Sequence, residues 1–137
     1  MNTSQPIAAL RIFLVEDAAT VRRKIALLFG TIAGALIVGE AEDGVTALAA
    51  IRERRADVAV VDLRLATGSG VDLIAALTQT MPCVVTIALT NHSGPAFRAA
   101  CKTAGAHYFF DKTAEFDAAC RTIENLALTR SPRVADQ

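Results

Sequence analysis

The sequence predicts one α/β domain, a doubly wound parallel sheet of five strands with helices packed on both faces. Three observations lead there. Five short apolar runs alternate with five stretches of helical periodicity within the 137 residues, and such alternation implies parallel strands joined by right-handed crossovers. The strand-like runs are almost continuously apolar, as strands covered on both faces must be. The hydrophobic residues, 53% of the chain, are mostly Ala, Val, Leu and Ile, with aromatics at 5%, which suits helices packed closely on a sheet.

LRIFLV (10–15) reads as the first buried strand. Ala18 to about Ile32 follows as a helix, with Val21, Ile25, Leu28 and Phe29 at the spacing of one inward face. Gly34 interrupts it, and ALIVGEA (35–41) is the second strand. Asp43-Gly44 turns the chain into a helix from Val45 to Arg55, with Val45, Leu48, Ala49 and Ile51 expected inward. DVAVVD (57–62) is the third strand, and a Gly/Ser/Thr-rich loop, ATGSG (66–70), leads to a helix over Val71 to Thr80 closed by Pro82. CVVTIALT (83–90) is the fourth strand. Gly94-Pro95 opens the next helix, with Pro in the first turn where no N–H is needed, and Gly105 ends it. HYFFD (107–111) is the fifth strand. Thr113 is the expected N-cap of a last helix that turns Phe116, Cys120, Ile123 and Ala127 inward. No repeat, linker or second domain interrupts this pattern. Residues 1–9 read as a lead, 10–128 as the domain and 129–137 as a frayed tail.

Fourteen basic and fourteen acidic residues cancel, which gives no electrostatic footprint for nucleic acid or an anionic membrane. The clusters Arg22-Arg23-Lys24 and Arg52 to Arg55 fall within helical patterns and read as solvated faces. Cys83, Cys101 and Cys120 form no CxxC pair and read as reduced packing thiols. No apolar run is long enough for a membrane span and no leader pattern precedes the first strand, so a cytoplasmic protein is expected.

In open α/β sheets, ligands gather beyond the carboxyl ends of the strands. The first strand ends in Glu16-Asp17, the third in Asp62, the fourth in Thr90 and the fifth in Asp111-Lys112. The second ends in Glu40-Ala41-Glu42 and is expected to lie to one side. Singly, each has a structural explanation: a helix cap, an Asx-turn, an ordinary strand end, a lysine reaching for water. Together they place three carboxylates, a hydroxyl and an ammonium in one cleft. Three carboxylates without His or Cys make a hard oxygen site that suits Mg²⁺. His92 and His107 have no partner at ligand spacing and read as surface or internally satisfied. A phosphoryl group would complete the site. Lys112 and Thr90 would bind its oxygens, and Asp62 would attack phosphorus to form an acyl phosphate.

The stretches LRIFLVEDAATVRR, VVDLRLATGSGVDLI, IALTNH and GAHYFFDK, with 50 residues from Asp62 to Lys112, resemble the receiver domain of two-component response regulators over about residues 10–128. The resemblance implies a flavodoxin-like (βα)5 fold with strand order 2-1-3-4-5. It implies Mg²⁺ held by Glu16, Asp17, Asp62 and the backbone carbonyl of Arg64. Asp62 would accept phosphate from a phosphohistidine on a histidine kinase or histidine phosphotransfer protein, and Thr90 and Lys112 would hold it. Phe109 stands where the family has its switch aromatic, and Arg64, Asn91 and His92 where it tunes phosphoryl lifetime. Output would run through a surface at about residues 94–128 that binds a downstream protein or a second copy of the chain.

Three residues depart from the family pattern. Ala66 and Thr113 stand where Pro is frequent, so no cis peptide is expected after Lys112; Asn91 replaces a small residue and is expected to narrow access to the phosphoryl group. The alternatives are a phosphate-independent receiver-like interaction domain, or a flavodoxin-like cofactor binder or phosphatase. The acidic loop Glu16-Asp17-Ala18-Ala19 opposes flavin phosphate, and Arg64 stands where a phosphatase would need a second acid. A dedicated enzyme is therefore not expected.

Overall fold

The computed structural model describes residues 8–130. In chain order these form β1 (Leu10–Val15), α1 (Ala19–Gly30), β2 (Ala35–Ala41), α2 (Gly44–Arg54), β3 (Val58–Val61), α3 (Gly70–Thr80), β4 (Val85–Thr90), α4 (Pro95–Ala104), β5 (Tyr108–Asp111) and α5 (Phe116–Thr129). The strands make one parallel sheet in the order β2-β1-β3-β4-β5. The doubly wound flavodoxin-like α/β fold is thus the observed one. Helix α5 runs through the first residue assigned to the tail, and Arg130 then pairs with Asp57 at 2.7 Å. Residues 1–7 of the lead and 131–137 of the tail lie outside the described residues.

The two-residue period of the strands sorts the core into two layers. Phe13, Val15, Ala59, Val61 and Ala88 face α2, α3 and α4 through Ala47, Ile51, Leu73, Ile74, Leu77 and Cys101. Ile12, Leu14, Val58, Val60, Ile87 and Leu89 face α1 and α5 through Ile25, Phe29, Ala119 and Ile123. Alanines at the sheet centre let helices approach the first face closely. The second face is filled by larger side chains and by Phe29 and Phe116, whose rings stack 5.4 Å apart and join α1 to α5.

The expected inward faces need correction in two helices. In α1 only Ile25 and Phe29 are buried, while Val21 and Leu28 are exposed and line a shallow groove with Phe116. Among the described residues two helices, α1 and α5, cover that side of the sheet, so the flanks of α1 stay open. In α2 the helix begins at Gly44, because Asp43 caps it by accepting from the Thr46 N–H at 2.8 Å. Ala47 and Ile51, four apart, then point inward, while Val45 and Ala49 face solvent.

The cap of α5 also differs. Thr113 does not cap it: α5 starts at Phe116 after Glu115, without a side-chain cap. Asp111 Oδ1 closes the turn before the helix instead, accepting from the N–H groups of Thr113 and Ala114 at 2.9 and 2.8 Å. As expected, Ile123 is buried and Phe116, Cys120 and Ala127 pack against the same layer. His107 is internally satisfied, its Nδ1 accepting from the Thr86 N–H at 3.0 Å. Of the cysteines, Cys101 is buried, Cys120 half-buried and Cys83 exposed, all as free thiols.

Candidate functional site

Backbone pairing brings the strand-end residues together. Val15 lies opposite Val61, and the Asp62 N–H donates to the Val15 carbonyl at 2.9 Å, so Glu16 and Asp62 leave the sheet side by side. Thr90 pairs with Asp111, and the Lys112 N–H donates to the Thr90 carbonyl at 2.8 Å. Gly70 completes the frame. A Cβ there would stand 2.0 Å from the Asp62 carbonyl oxygen, so only glycine lets the start of α3 lie on this backbone.

Glu16 and Asp62 are 2% and 8% exposed, charged groups at the edge of an apolar core. Lys112 answers both: its Nζ donates to Glu16 Oε1 and, at 3.1 Å, to Asp62 Oδ2. Glu16 Oε2 also accepts from the Ala18 N–H at 3.1 Å. Burial pushes the Glu16 carboxyl above its ordinary value, against the pull of Lys112. Burial likewise works to lower Lys112, but hydrogen bonding and attraction from Glu16 and Asp62 outweigh it and raise its pKa. One ammonium therefore serves two buried carboxylates.

Two observations show that a hard cation fits the remainder. Asp62 Oδ1 is buried and has no hydrogen-bond partner among the described residues. Glu16, Asp62 and the exposed Asp17 each offer a carboxylate oxygen within 4.8 Å of the others. Mg²⁺ prefers such oxygens and retains several waters.

The other predicted residues stand on β4, β5 and the loops that follow β3 and β4. Thr90 is wholly buried and its Oγ1 accepts from the His92 N–H at 3.1 Å. Asn91 Oδ1 accepts from the Thr113 hydroxyl at 3.2 Å, which ties the β4–α4 loop to the β5–α5 loop. The His92 ring lies 5.5 Å from that of Phe97. Arg64 is exposed and bridges to Ser69 within the β3–α3 loop. Phe109 is half-buried against the α2–α4 layer.

Four residues escaped sequence reasoning. Arg22, read as part of a solvated face, donates from Nη1 to the Glu16 carbonyl at 2.7 Å and pairs with Glu40 at 3.1 Å. Its signal was an arginine one helical turn into α1, close to the acidic strand end. Ser93 donates to Asp111 Oδ2 at 2.7 Å, and Arg98 pairs with Glu115 at 2.9 Å and lies 4.5 Å over the Phe109 ring. Nothing local marked those three.

The response regulator receiver domain family model matches residues 12–124. The DNA-binding transcriptional activator DevR/DosR of Mycobacterium tuberculosis is 31% identical over 122 residues, covering 89% of this chain and 56% of that protein. Response regulator GacA of Pseudomonas viridiflava is 28% identical over 131 residues, covering 93% of this chain and 61% of its own. The chain thus spans about half the length of the curated relatives it matches. Among solved structures, a LuxR-family two-component response regulator from Aurantimonas sp. SI85-9A1 superposes with a TM-score of 0.82 at 28% identity, covering 94% of this chain and 92% of that one. The isolated REC domain of Salmonella enterica RcsB, in the presence of phosphomimetic BeF3-, has the same fold, with a TM-score of 0.80 at 21% identity over 90% of this chain and 91% of that one. A match that runs from β1 into α5 covers every strand that contributes to the site, and the chain belongs to the response regulator receiver domains of two-component systems.

Proposed function

We propose that this receiver accepts a phosphoryl group on Asp62, with Mg²⁺, from a phosphohistidine of a histidine kinase or histidine phosphotransfer protein. The observation that carries the reading is Asp62 itself, with Oδ2 held by Lys112 and Oδ1 buried without a partner among the described residues. One oxygen of the Asp62 carboxylate attacks phosphorus, the P–N bond of the donor breaks as the P–O bond forms, and the imidazole leaves with the electron pair and takes a proton from water. Lys112 neutralises charge on the transferring group. The Thr90 hydroxyl already accepts from His92, so its own proton is free to go to a phosphoryl oxygen. Glu16, Asp17 and Asp62, with the Arg64 carbonyl, would hold Mg²⁺, which supplies further charge neutralisation when bound. Arg64, Asn91 and His92, on the loops that follow β3 and β4, would set how long the acyl phosphate survives.

The output surface is α4, β5 and α5, where Phe97 and Tyr108 are exposed aromatics. Its partner would be a downstream protein or a second copy of the chain. The absence of a nucleic-acid partner is expected of this charge-balanced chain alone, since DevR/DosR is by name DNA-binding and this chain covers 56% of it. The same reading puts the chain in the cytoplasm and treats it as a switch rather than a dedicated enzyme. Incubation with acetyl phosphate and Mg²⁺, followed by intact mass, tests it. The expected result is one phosphoryl adduct on the wild type and none on Asp62→Asn. An unmodified wild type would leave only a phosphate-independent interaction domain.

A further inference from the structure

The strand end at Asp111-Lys112 separates two sets of contacts. Lys112 turns to the acidic pocket, and Asp111 turns to a cluster formed by Ser93, Arg98 and Glu115. Arg98, on the first turn of α4, has three contacts there. Its Nε donates to the Ser93 carbonyl at 3.3 Å, its Nη2 pairs with Glu115 Oε1 at 2.9 Å, and its guanidinium covers the Phe109 ring at 4.5 Å. Glu115 in turn accepts from the Asp111 N–H at 2.9 Å. Arg98 therefore reaches the β4–α4 loop, the start of α5 and the ring of β5 from one position.

Phe109 is a ring at a boundary. Its inner side packs against the core layer of α2–α4, and its outer side lies under the guanidinium. It sits opposite Ala88, two residues before Thr90 on the neighbouring strand. The residue opposite the ring is small and stands two positions before the hydroxyl that would follow the phosphoryl group, so a ring responding to that hydroxyl would move toward Thr90. Such a move would take it out from under the guanidinium.

We propose that Arg98 is an autoinhibitory latch, a positioning residue that holds Phe109 and the β4–α4 loop in the unphosphorylated arrangement and so opposes phosphoryl binding at Asp62. The inference rests on the reading of Asp62 as acceptor and Phe109 as the responding ring. Its physical basis is linkage. A contact present in one state only shifts the balance toward that state, and the ligand of the other state binds more weakly in proportion. Cation–π attraction at a half-exposed ring and an exposed ion pair are each modest, which suits a latch that a phosphoryl group must overcome.

The test is a titration with beryllofluoride, a phosphoryl mimic, in saturating Mg²⁺, read by ¹⁹F NMR of the bound species. The proteins are wild type, Arg98→Met, Phe109→Leu, the double variant and Asp62→Asn. Arg98 is exposed, so its replacement leaves the fold intact, which a cooperative melt verifies. Arg98→Met is expected to bind about fivefold more tightly than wild type. In the Phe109→Leu background the same substitution is expected to change affinity little, because the ring it acts through is gone. Wild-type affinity or weaker in Arg98→Met overturns the latch. So does an undiminished tightening without the ring, which would show that Arg98 acts elsewhere. A wild type that binds no beryllofluoride, matching Asp62→Asn, overturns the phosphoryl-acceptor reading and the latch with it.

Discussion

Asp111 and Lys112 are consecutive residues, yet they serve charge clusters of opposite character. Lys112 belongs to a buried set in which one ammonium faces Glu16 and Asp62, and a carboxylate oxygen is left without a partner among the described residues. Asp111 belongs to a more exposed set in which Ser93, the backbone of Thr113 and Ala114, Arg98 and Glu115 satisfy one another. The carboxyl groups respond in opposite directions. Burial pushes Glu16 up, whereas backbone hydrogen bonds hold Asp111 and Glu115 below their usual values. The same side-chain types therefore make an unbalanced charge cluster where water is excluded, and a structural clasp where donors are plentiful.

Removing the buried cation should break the contrast most strongly. Lys112→Met leaves two desolvated carboxylates facing each other and should lose about 3–5 kcal/mol of stability in urea at neutral pH, with Mg²⁺ restoring part of it. A loss below about 1 kcal/mol would mean that the pocket is as well solvated as the clasp. Gly70→Ala should cost about 2 kcal/mol, because its methyl meets the Asp62 carbonyl at 2.0 Å and the backbone must move. It should also reduce the phosphoryl adduct, while a control at the open Gly94 should leave the adduct unchanged.

Smaller effects sharpen the comparison. Without Mg²⁺, Asp62→Asn should stabilise the fold by about 1 kcal/mol in urea, since Lys112 then neutralises Glu16 alone. Destabilisation instead would show that the Asp62 charge is already compensated. The pH response should separate the clusters by sign. The lowered carboxyls of Asp111 and Glu115 contribute stability above their usual values of 3.8 and 4.5, and it is lost as pH falls through the folded values. The raised Glu16 works the other way, favouring the fold below 4.5 and opposing it as pH rises through its folded value. Melting temperatures from pH 6 to 3 should therefore fall less steeply in Asp111→Asn/Glu115→Gln than in wild type. Equal slopes would remove the clasp from the pH response.

The site's membership was legible because sheet topology turns chain order into proximity. Once Glu16, Asp62 and Lys112 each end a strand of one parallel sheet, they leave it at the same edge, and the lysine can reach both carboxylates. The clasp was not legible. Arg98 lies on an exposed helix face like any solvated arginine, and only the docking of α4 beside β5 sets it over Phe109. Arg22 was misread for the same reason, its role depending on where α1 lies against the ends of β1 and β2.

Periodicity and apolar content, which are local, settled the alternation of strands and helices and the residue type at each strand end. Packing alone decided which residues of α1 and α2 turn inward, since Val21, Leu28 and Val45 satisfy the period as well as Ile25 and Ile51 do. Packing alone also decided that Asp111 closes the turn before α5 and that Glu16 and Asp62 share a single ammonium. The energy of a charge depends on the water and partners left around it, and those are set by segments distant in the chain.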